Sequence, residues 1–485
     1  MTTTRATHQT PGHPSMRALK QLLLLLCVAQ LMVILDISAV NVALPDMAKA
    51  LDITGGGLGW AITSYSLIFG SLLLLGGRAA DLLGRRRMFL TGLGIFIVAS
   101  IAAAAASGAA TFFAARGAQG LGAAMLSPAA LSILMNTFKA GTPRAHALAA
   151  WGAVGGAGAA IGVLIGGALT ELIGWQAIFL INVPIGLAVA LVARHLIPAD
   201  DASPRWSGLD LPGAALATAG LGAIVFALSQ ATDAGWTSTQ TLAVGGAGLA
   251  GLLCFAIVEL RTTHPLLKID RLADRGVGGG FALMLAASIA LFGTFLLTSL
   301  YLQDVLGTGA LETGLGFLPL AVALALGVHA GSHVLGHAGV RVPMAAGFGV
   351  AAIGLVLLSG VDADGRYVTD VLPGMLVTGL GLGVVLVCVS VSVMTGARDD
   401  ETGMLSGLNT TGHEIGGSIG IAVLATIAAS SSVGDAPSGL AGGIADAFLA
   451  ASGVAALAGV LAVIVLPAAA TFLPKFRLAP PVAVH

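Results

Sequence analysis

The sequence predicts an all-α polytopic membrane protein with fourteen transmembrane helices. Composition is the first reason: 56% of the 485 residues are hydrophobic and 9% are charged, which is far from the mixture found in soluble domains. The second reason is that apolar runs of roughly 20 residues, enough to cross a hydrocarbon core of about 30 Å, recur along the chain. The core of a soluble domain cannot bury so many apolar runs, so the protein is expected to function within the membrane.

The spans lie between short charged or turn-rich breaks. They are residues 20–44, 59–76, 88–106, 111–136, 146–168, 174–195, 209–229, 241–260, 278–301, 313–335, 342–360, 370–394, 406–429 and 443–467. If the N-terminus is cytoplasmic, all of the 22 Lys and Arg residues except Lys49, Arg366 and Arg116 fall in or beside cytoplasmic loops. Because basic residues gather on that side, both termini are predicted to be cytoplasmic and the protein to lie in the cytoplasmic membrane. The first run is expected to be a retained helix and not a signal peptide.

Glycine, cysteine and net charge narrow the chemistry. The 69 glycines favour close packing of membrane helices through small side chains. The three cysteines each lie inside an apolar run and are expected to be small buried hydrophobic residues, so no metal site or disulfide framework is predicted. A net charge of -1 gives no indication of a nucleic-acid partner.

Two charged residues fall inside apolar spans, where an unpaired charge costs several kcal/mol. Asp36 lies about 21 Å along the first helix from Leu22, at 1.5 Å per residue, in the outer part of the span. It either binds a proton or is held for packing alone by Asn41 or a neighbouring helix. Arg116, with Gln119 one turn further on, either lines a central cavity or extends its side chain to the nearer surface.

The loop GGRAADLLGRRRMFL, residues 76–90, is short and basic and contains one acid, Asp81. The arginines alone are typical of a positive-inside loop. Acids contribute little to topology, so Asp81 beside Arg85 and Arg86 favours a charge-assisted latch between neighbouring helices.

Several motifs carry a family resemblance. The pattern Gly77-x-x-Ala80-Asp81-x-x-Gly84-Arg85-Arg86 resembles the signature loop of the major facilitator superfamily, with Ala79 where leucine is usual. Other stretches resemble motifs of its fourteen-span drug/proton antiporters. They are Leu35-Asp36 with Asn41 to Pro45, Arg116 to Gly122, Trp175 with Phe179 to Pro184, Tyr301 to Gln303, and His413 to Gly417. The resemblance therefore covers residues 31 to 417.

The resemblance implies a major facilitator fold with a 6+2+6 arrangement of helices. Residues 1–197 and 278–485 are expected to form two six-helix bundles around a cavity that opens alternately to either side, and residues 198–277 an inserted pair. The implied activity is proton-coupled antiport that exports lipophilic, often cationic drugs or antibiotics. A proton gradient supplies the energy in place of a cofactor.

The resemblance also assigns roles to residues. Asp36 is expected to bind the coupled proton, with Arg116 favouring its ionised form. The implied proton-coupling and substrate residues are Asp36, Asn41, Arg116, Gln119 and Glu414, and the implied conformational latch is Gly77, Asp81, Gly84, Arg85 and Arg86.

Glycines recur every four residues in the fifth span. Gly158, Gly162 and Gly166, with Gly167, predict a close-packing strip along one helix face. In the resembling family this strip marks exporters and helps to form the interface between the two halves. Val163 stands where that family usually has proline.

Histidines raise two further hypotheses. His329, His333 and His337 share one helix face, where they bind a metal, pass a proton, or are wetted at the membrane interface, and the last is favoured. His413 and Glu414 form either a pair at the cytoplasmic helix end or a second polar site.

Two alternatives to drug export remain open. The same fold exports a lipid or an endogenous metabolite, or the protein is a membrane enzyme or receptor. No nucleotide loop, metal-ligand motif or nucleophile elbow supports an enzyme, so transport of a small molecule is preferred.

Overall fold

The computed structural model describes residues 16–53, 57–138, 142–200, 210–263, 265–395, 401–431 and 437–478. All regular secondary structure in these ranges is helical. The α-helices are α1 (Met16–Leu51), α2 (Gly57–Leu83), α3 (Arg85–Ala104), α4 (Ala109–Thr137), α5 (Thr142–Leu172), α6 (Ala177–Leu180), α7 (Asn182–Leu196), α8 (Leu211–Ala234), α9 (Thr239–Glu259), α10 (Arg275–Leu300), α11 (Ala310–Gly316), α12 (Leu318–Ala338), α13 (Arg341–Leu358), α14 (Leu372–Met394), α15 (Thr402–Ser431), α16 (Pro437–Val465) and α17 (Ala469–Leu478). A 3₁₀ turn covers Ile269–Ala273, and π-helical turns cover Tyr301–Val305 and Tyr367–Val371.

The predicted all-α membrane class is confirmed. Within the described residues, eleven helical segments are long and apolar enough to cross a membrane. Shorter apolar stretches lie in α2 (Trp60–Leu73), α5 (Ile161–Leu172) and α8 (Pro212–Leu228). The count of fourteen spans stays a prediction, and α17 lies beyond the last predicted span.

The helices pack around three apolar clusters. One is formed mostly by α1 to α7 and a second mostly by α10 to α17. The third contains residues of both groups, among them Leu35 of α1, Leu296 of α10 and Ile421 of α15. The early and late helices therefore share an apolar contact in addition to their separate cores.

The two ends of the helical assembly differ in charge and contact. We call the end where α2 ends and α3 begins the basic end, because Arg85 to Arg87 lie there, and the opposite one the far end. At the far end α5 touches α11: Leu311 N donates to the Glu171 carboxylate at 3.1 Å. A Cβ added at Gly167 would lie 2.5 Å from Ala310 O. The early and late helices thus meet closely at this end.

Helices α8 and α9 pack on each other, and α8 also packs against α2. The Phe226 ring of α8 packs at a tilt against Trp60 of α2, with ring centres 5.4 Å apart, and Thr218 Oγ1 donates to Ser71 O at 3.5 Å. After α9 the chain is tied to the start of α15, because Glu401 forms ion pairs with two basic residues of the connecting segment. These are Lys268 and Arg271, each at 3.0 Å. The α8–α9 pair thus contacts elements from both the early and the late part of the chain.

Candidate functional site

Asp36 lies inside the group α1 to α7 and is 1% exposed. Its carboxylate forms an ion pair with Arg116 of α4 at 2.5 Å. It also accepts hydrogen bonds from Gln119 Nε2 at 3.0 Å and Asn182 Nδ2 at 2.8 Å. Three donor groups, one of them positively charged, therefore surround the carboxylate.

Arg116 is equally enclosed, at 1% exposed. It donates from Nη1 to Gln119 Oε1 at 2.8 Å and from Nε to Ala61 O of α2 at 3.3 Å. Its guanidinium carbon lies 4.6 Å from the centre of the Tyr65 ring, a cation–π contact. The side chain therefore does not extend to the surface. The expectation that Arg116 and Gln119 line a cavity differs from the structure, because both face the buried Asp36 carboxylate.

Ser100 of α3 completes this buried cluster. Its hydroxyl accepts from Gln119 Nε2 at 2.8 Å and from Asn182 Nδ2 at 3.4 Å, and donates to Phe96 O at 2.8 Å. We call Asp36, Ser100, Arg116, Gln119 and Asn182 the Asp36 network. Sequence reasoning missed Ser100, and it placed Asn182 only within a motif, without a partner.

Asn41 is not part of the Asp36 network. Its side-chain amide donates to Ile37 O of its own helix at 3.2 Å. Its backbone carbonyl accepts from Ser299 Oγ of α10 at 3.5 Å. The hypothesis that Asn41 holds Asp36 is therefore not what the structure shows.

Glu414 of α15 is the second buried carboxylate, at 4% exposed. It packs on α2: its Cβ lies 2.9 Å from where a Cβ at Gly70 would stand, and Ser66 hydrogen-bonds its carboxylate. One turn earlier, Thr411 Oγ1 donates to Gly70 O at 3.2 Å. Glu414 Oε2 has no hydrogen-bond partner among the described residues. This acid lies where a late helix meets an early one.

His413 points away from Glu414. Its Nδ1 lies 2.7 Å from Ser288 Oγ of α10, and its ring packs edge-on at 5.1 Å against Phe292. Consecutive residues on a helix differ by about 100° in direction, so one faces α10 and its neighbour faces α2. The two residues do not form a pair.

Tyr65 of α2 lies between the two acids. Its ring supports Arg116, and the next residue, Ser66, bonds Glu414. The side chain is fully buried, and its hydroxyl has no hydrogen-bond partner within the described part of the chain.

The predicted latch region is bound by a different acid. Arg86 N and Arg87 N, at the start of α3, donate to the Asp200 carboxylate at 3.2 and 3.0 Å. Arg86 Nη2 also donates to Arg194 O of α7 at 2.8 Å. A carboxylate at a helix N-terminus is favourable, so Asp200 fastens α3 to the end of α7. Sequence reasoning missed Asp200.

The remaining latch residues have separate environments. Gly84 adopts φ of 108°, a left-handed conformation that favours glycine, at the turn between α2 and α3. Gly77 lies opposite Pro128 of α4, 3.7 Å from an added Cβ. Asp81 lies in α2, but its side chain is outside the described residues, so its expected contact with Arg85 stays a prediction.

The glycine strip faces two partners. Gly158, Gly162 and Gly166 face α1, where added Cβ atoms would lie 2.6 to 3.0 Å from its atoms. Only Gly167 faces the late helices, at Ala310. Val163, in the usual proline position, directs its carbonyl to α11, 2.9 Å from an added Cβ at Gly314. Three of the four glycines therefore pack within the early helices. The contact with the late helices is made by Gly167 and by the Val163 carbonyl.

The three histidines of α12 are exposed. His333 Nε2 lies 3.0 Å from His329 Nε2, and His337 Nδ1 lies 3.3 Å from His333 O. Among the described residues, no group of three or more His, Cys, Asp or Glu side chains is placed to hold a metal.

Comparison with known proteins decides the family. Residues 26–421 match the family model described as Major Facilitator Superfamily. The chain belongs to the major facilitator superfamily. This major facilitator protein is 36% identical to the cephamycin export protein CmcT of Amycolatopsis lactamdurans, over 100% of this chain and 99% of that protein. It is 37% identical to the puromycin resistance protein pur8 of Streptomyces alboniger, over 84% and 81% of the two chains.

Further similarities agree with this family. The lincomycin resistance protein of Streptomyces lincolnensis is 32% identical over 95% of this chain and 92% of its own. Among solved structures, a bacterial homologue of the human lysosomal transporter Spinster, inward-facing and unoccupied, superposes with a TM-score of 0.61. That match covers 95% of this chain and 99% of the other at 16% identity, which shows the fold. The protein is thus a membrane transporter of the major facilitator fold.

Proposed function

We propose that this major facilitator protein exports lipophilic, often cationic antibiotics or drugs across the cytoplasmic membrane in exchange for protons. Relatives named for cephamycin export and for puromycin and lincomycin resistance support this substrate class. Apolar helices with few fixed polar groups suit such molecules. Transport changes no covalent bond, so the proposal needs no catalytic residue and no cofactor.

The proposed architecture is fourteen spans in a 6+2+6 arrangement, with bundles at residues 1–197 and 278–485 and an inserted pair at 198–277. The separate apolar clusters of the early and late helices support this division. The basic end faces the cytoplasm, as do both termini, because basic residues favour that side. The far-end contact between Glu171 and Leu311 then closes the outer side and must break when that side opens.

The proton site follows from the contrast between two carboxylates. A coupling acid must take up and release a proton within each transport cycle. Its surroundings should therefore stabilise neither the protonated nor the ionised carboxyl group strongly. Asp36 is bound by Arg116 and two amides, and protonation breaks a buried ion pair. Among the described residues, Glu414 Oε2 accepts no hydrogen bond and the carboxylate forms no ion pair with a basic residue. We therefore assign proton exchange to Glu414 and a structural charge-pair role to Asp36, which revises the expectation from sequence.

Position gives Glu414 its influence on conformation. The single observation that carries the proposal is that this carboxylate lies buried where α15 meets Gly70 of α2. A neutral acid is compatible with this buried contact, whereas a carboxylate favours hydration and separation of the helices. Protonation therefore shifts the balance between states, and a cationic substrate competes with the proton for the same group.

A flux measurement tests the proposed function. Purified full-length protein is placed in liposomes with a pH gradient, and labelled puromycin and lincomycin are followed together with a pH-sensitive dye. We expect substrate to accumulate on the acidic side while the gradient dissipates faster. Binding of these drugs without gradient-dependent movement of either would contradict the proposal.

A further inference from the structure

Helix α12 carries a polar stripe that the transport proposal does not use. His329, His333 and His337 lie on one exposed face in its second half. On the same face nearer the far end the exposed residues are apolar, Val322 and Leu326. Three imidazoles in succession are unfavourable against lipid, so we infer that this part of the face meets water.

The two inner histidines converge on one point. Their Nε2 atoms lie 3.0 Å apart and their ring centres 4.4 Å apart. One ring donates its Nε2–H to the Nε2 lone pair of the other. A metal ion bound to both Nε2 atoms would lie where this hydrogen now lies. Metal–imidazole bonds of about 2.0 to 2.1 Å separate two ligand nitrogens by about 2.9 Å at a right angle and about 3.4 Å at a tetrahedral angle. The observed separation lies between these values, so little movement is needed.

We propose that His329 and His333 bind a divalent late transition metal ion, of the class Cu²⁺, Ni²⁺ or Zn²⁺. Imidazole nitrogen is a favoured ligand for these ions, and two histidines four residues apart on one helix face are a recurrent chelating arrangement. Binding requires the donor ring to change tautomer: its hydrogen leaves Nε2 and a proton is taken up at Nδ1. Both Nε2 lone pairs are then available to the ion, both rings stay neutral, and no net proton is lost.

The site has only two protein ligands, and water fills the remaining positions. The described residues provide no third His, Cys, Asp or Glu around it. His337 is excluded because its Nδ1 faces the carbonyl of His333 at 3.3 Å, along the helix and away from the converging pair. This makes His337 the internal control.

Titration with Ni²⁺ alone tests the proposal on full-length protein purified without a polyhistidine tag. Calorimetry is expected to show that His329→Ala and His333→Ala each bind about one Ni²⁺ ion fewer per chain than the wild type. His337→Ala should bind as many as the wild type. The signal should fade on acidification, because a protonated imidazole does not ligate. Unchanged thermal unfolding of each variant without metal shows that the fold is intact.

A second measurement identifies the ligands. With Cu²⁺, electron paramagnetic resonance should show two equatorial nitrogens from this site in the wild type, and that signal should be absent in His329→Ala. Equal Ni²⁺ uptake by the wild type and both inner variants would overturn the proposal. So would a Cu²⁺ spectrum unchanged by either inner substitution, since the metal then binds elsewhere.

Discussion

The Cβ of Glu414 in α15 lies 2.9 Å from the position that a Cβ at Gly70 in α2 would occupy. Glycine at this position therefore lets the acid of one helix rest on the backbone of the other. Thr411 strengthens the same approach by donating to the Gly70 carbonyl at 3.2 Å. A change in the charge of Glu414 therefore alters the stability of this contact between α2 and α15.

Gly70→Ala should weaken the contact between α2 and α15. The new methyl group meets the Cβ of Glu414, which cannot move without its helix, and such overpacking costs about 1 to 3 kcal/mol. We expect a lower unfolding temperature in detergent and slower transport. Gly94→Ala in α3 is the control, because an added Cβ there meets nothing within 4 Å. Equal effects of the two substitutions would contradict the packing described.

Tyr65→Phe and Tyr301→Phe should differ in stability although both remove one buried hydroxyl. The Tyr65 hydroxyl has no hydrogen-bond partner among the described residues, and phenylalanine keeps the ring under Arg116. The Tyr301 hydroxyl donates to Asp362 O at 2.8 Å. We expect a loss of about 1 kcal/mol for Tyr301→Phe and less than about 0.5 kcal/mol for Tyr65→Phe.

Equilibrium or thermal unfolding of both variants in the same detergent makes this comparison. A larger loss in Tyr65→Phe would mean that its hydroxyl has a partner, such as water.

Arg116→Met should be strongly destabilising. It leaves the Asp36 carboxylate buried without its positive partner, at a cost of about 3 to 5 kcal/mol. The double variant Asp36→Asn with Arg116→Met removes both charges and should recover part of the loss. Thermal unfolding of the single and double variants gives the coupling energy. Additive losses would show that the two residues do not act as a pair.

Glu171→Ala should loosen the far-end contact. It removes the carboxylate that accepts from Leu311 N at the start of α11, an interaction of about 0.3 to 1 kcal/mol. We expect faster labelling of Ala310→Cys by a membrane-impermeant maleimide, by about two- to fivefold. Glu312→Ala is the matched control, because Glu312 is an exposed acid of α11 itself. Identical labelling rates in both backgrounds would mean that this contact does not close the far end.

Sequence patterns predicted the membrane fold because span length and charge placement are properties of short segments. They also singled out Asp36 and Arg116, since a charge within an apolar run stands out. Partners were harder to predict. Ser100 is a common polar residue, and nothing in its neighbours shows that it turns toward Gln119.

Direction around a helix was the main obstacle. Whether His413 or Glu414 faces α2 depends on a rotation of about 100°, which an almost uniformly apolar helix does not reveal. Asp200 was missed for a related reason, because it follows α7 in sequence but binds the start of α3. Such contacts depend on how distant segments meet in three dimensions.

Substrate-driven proton flux in proteoliposomes, measured for Glu414→Gln and Asp36→Asn beside the wild type, tests the central claim most directly. We predict that Glu414→Gln binds cationic substrate more weakly and that the substrate exchange it retains moves no proton. The folded fraction of Asp36→Asn, although less stable, should retain a proton flux for each substrate molecule transported. Coupled flux that persists in Glu414→Gln and disappears in Asp36→Asn would contradict this account and return the proton site to Asp36.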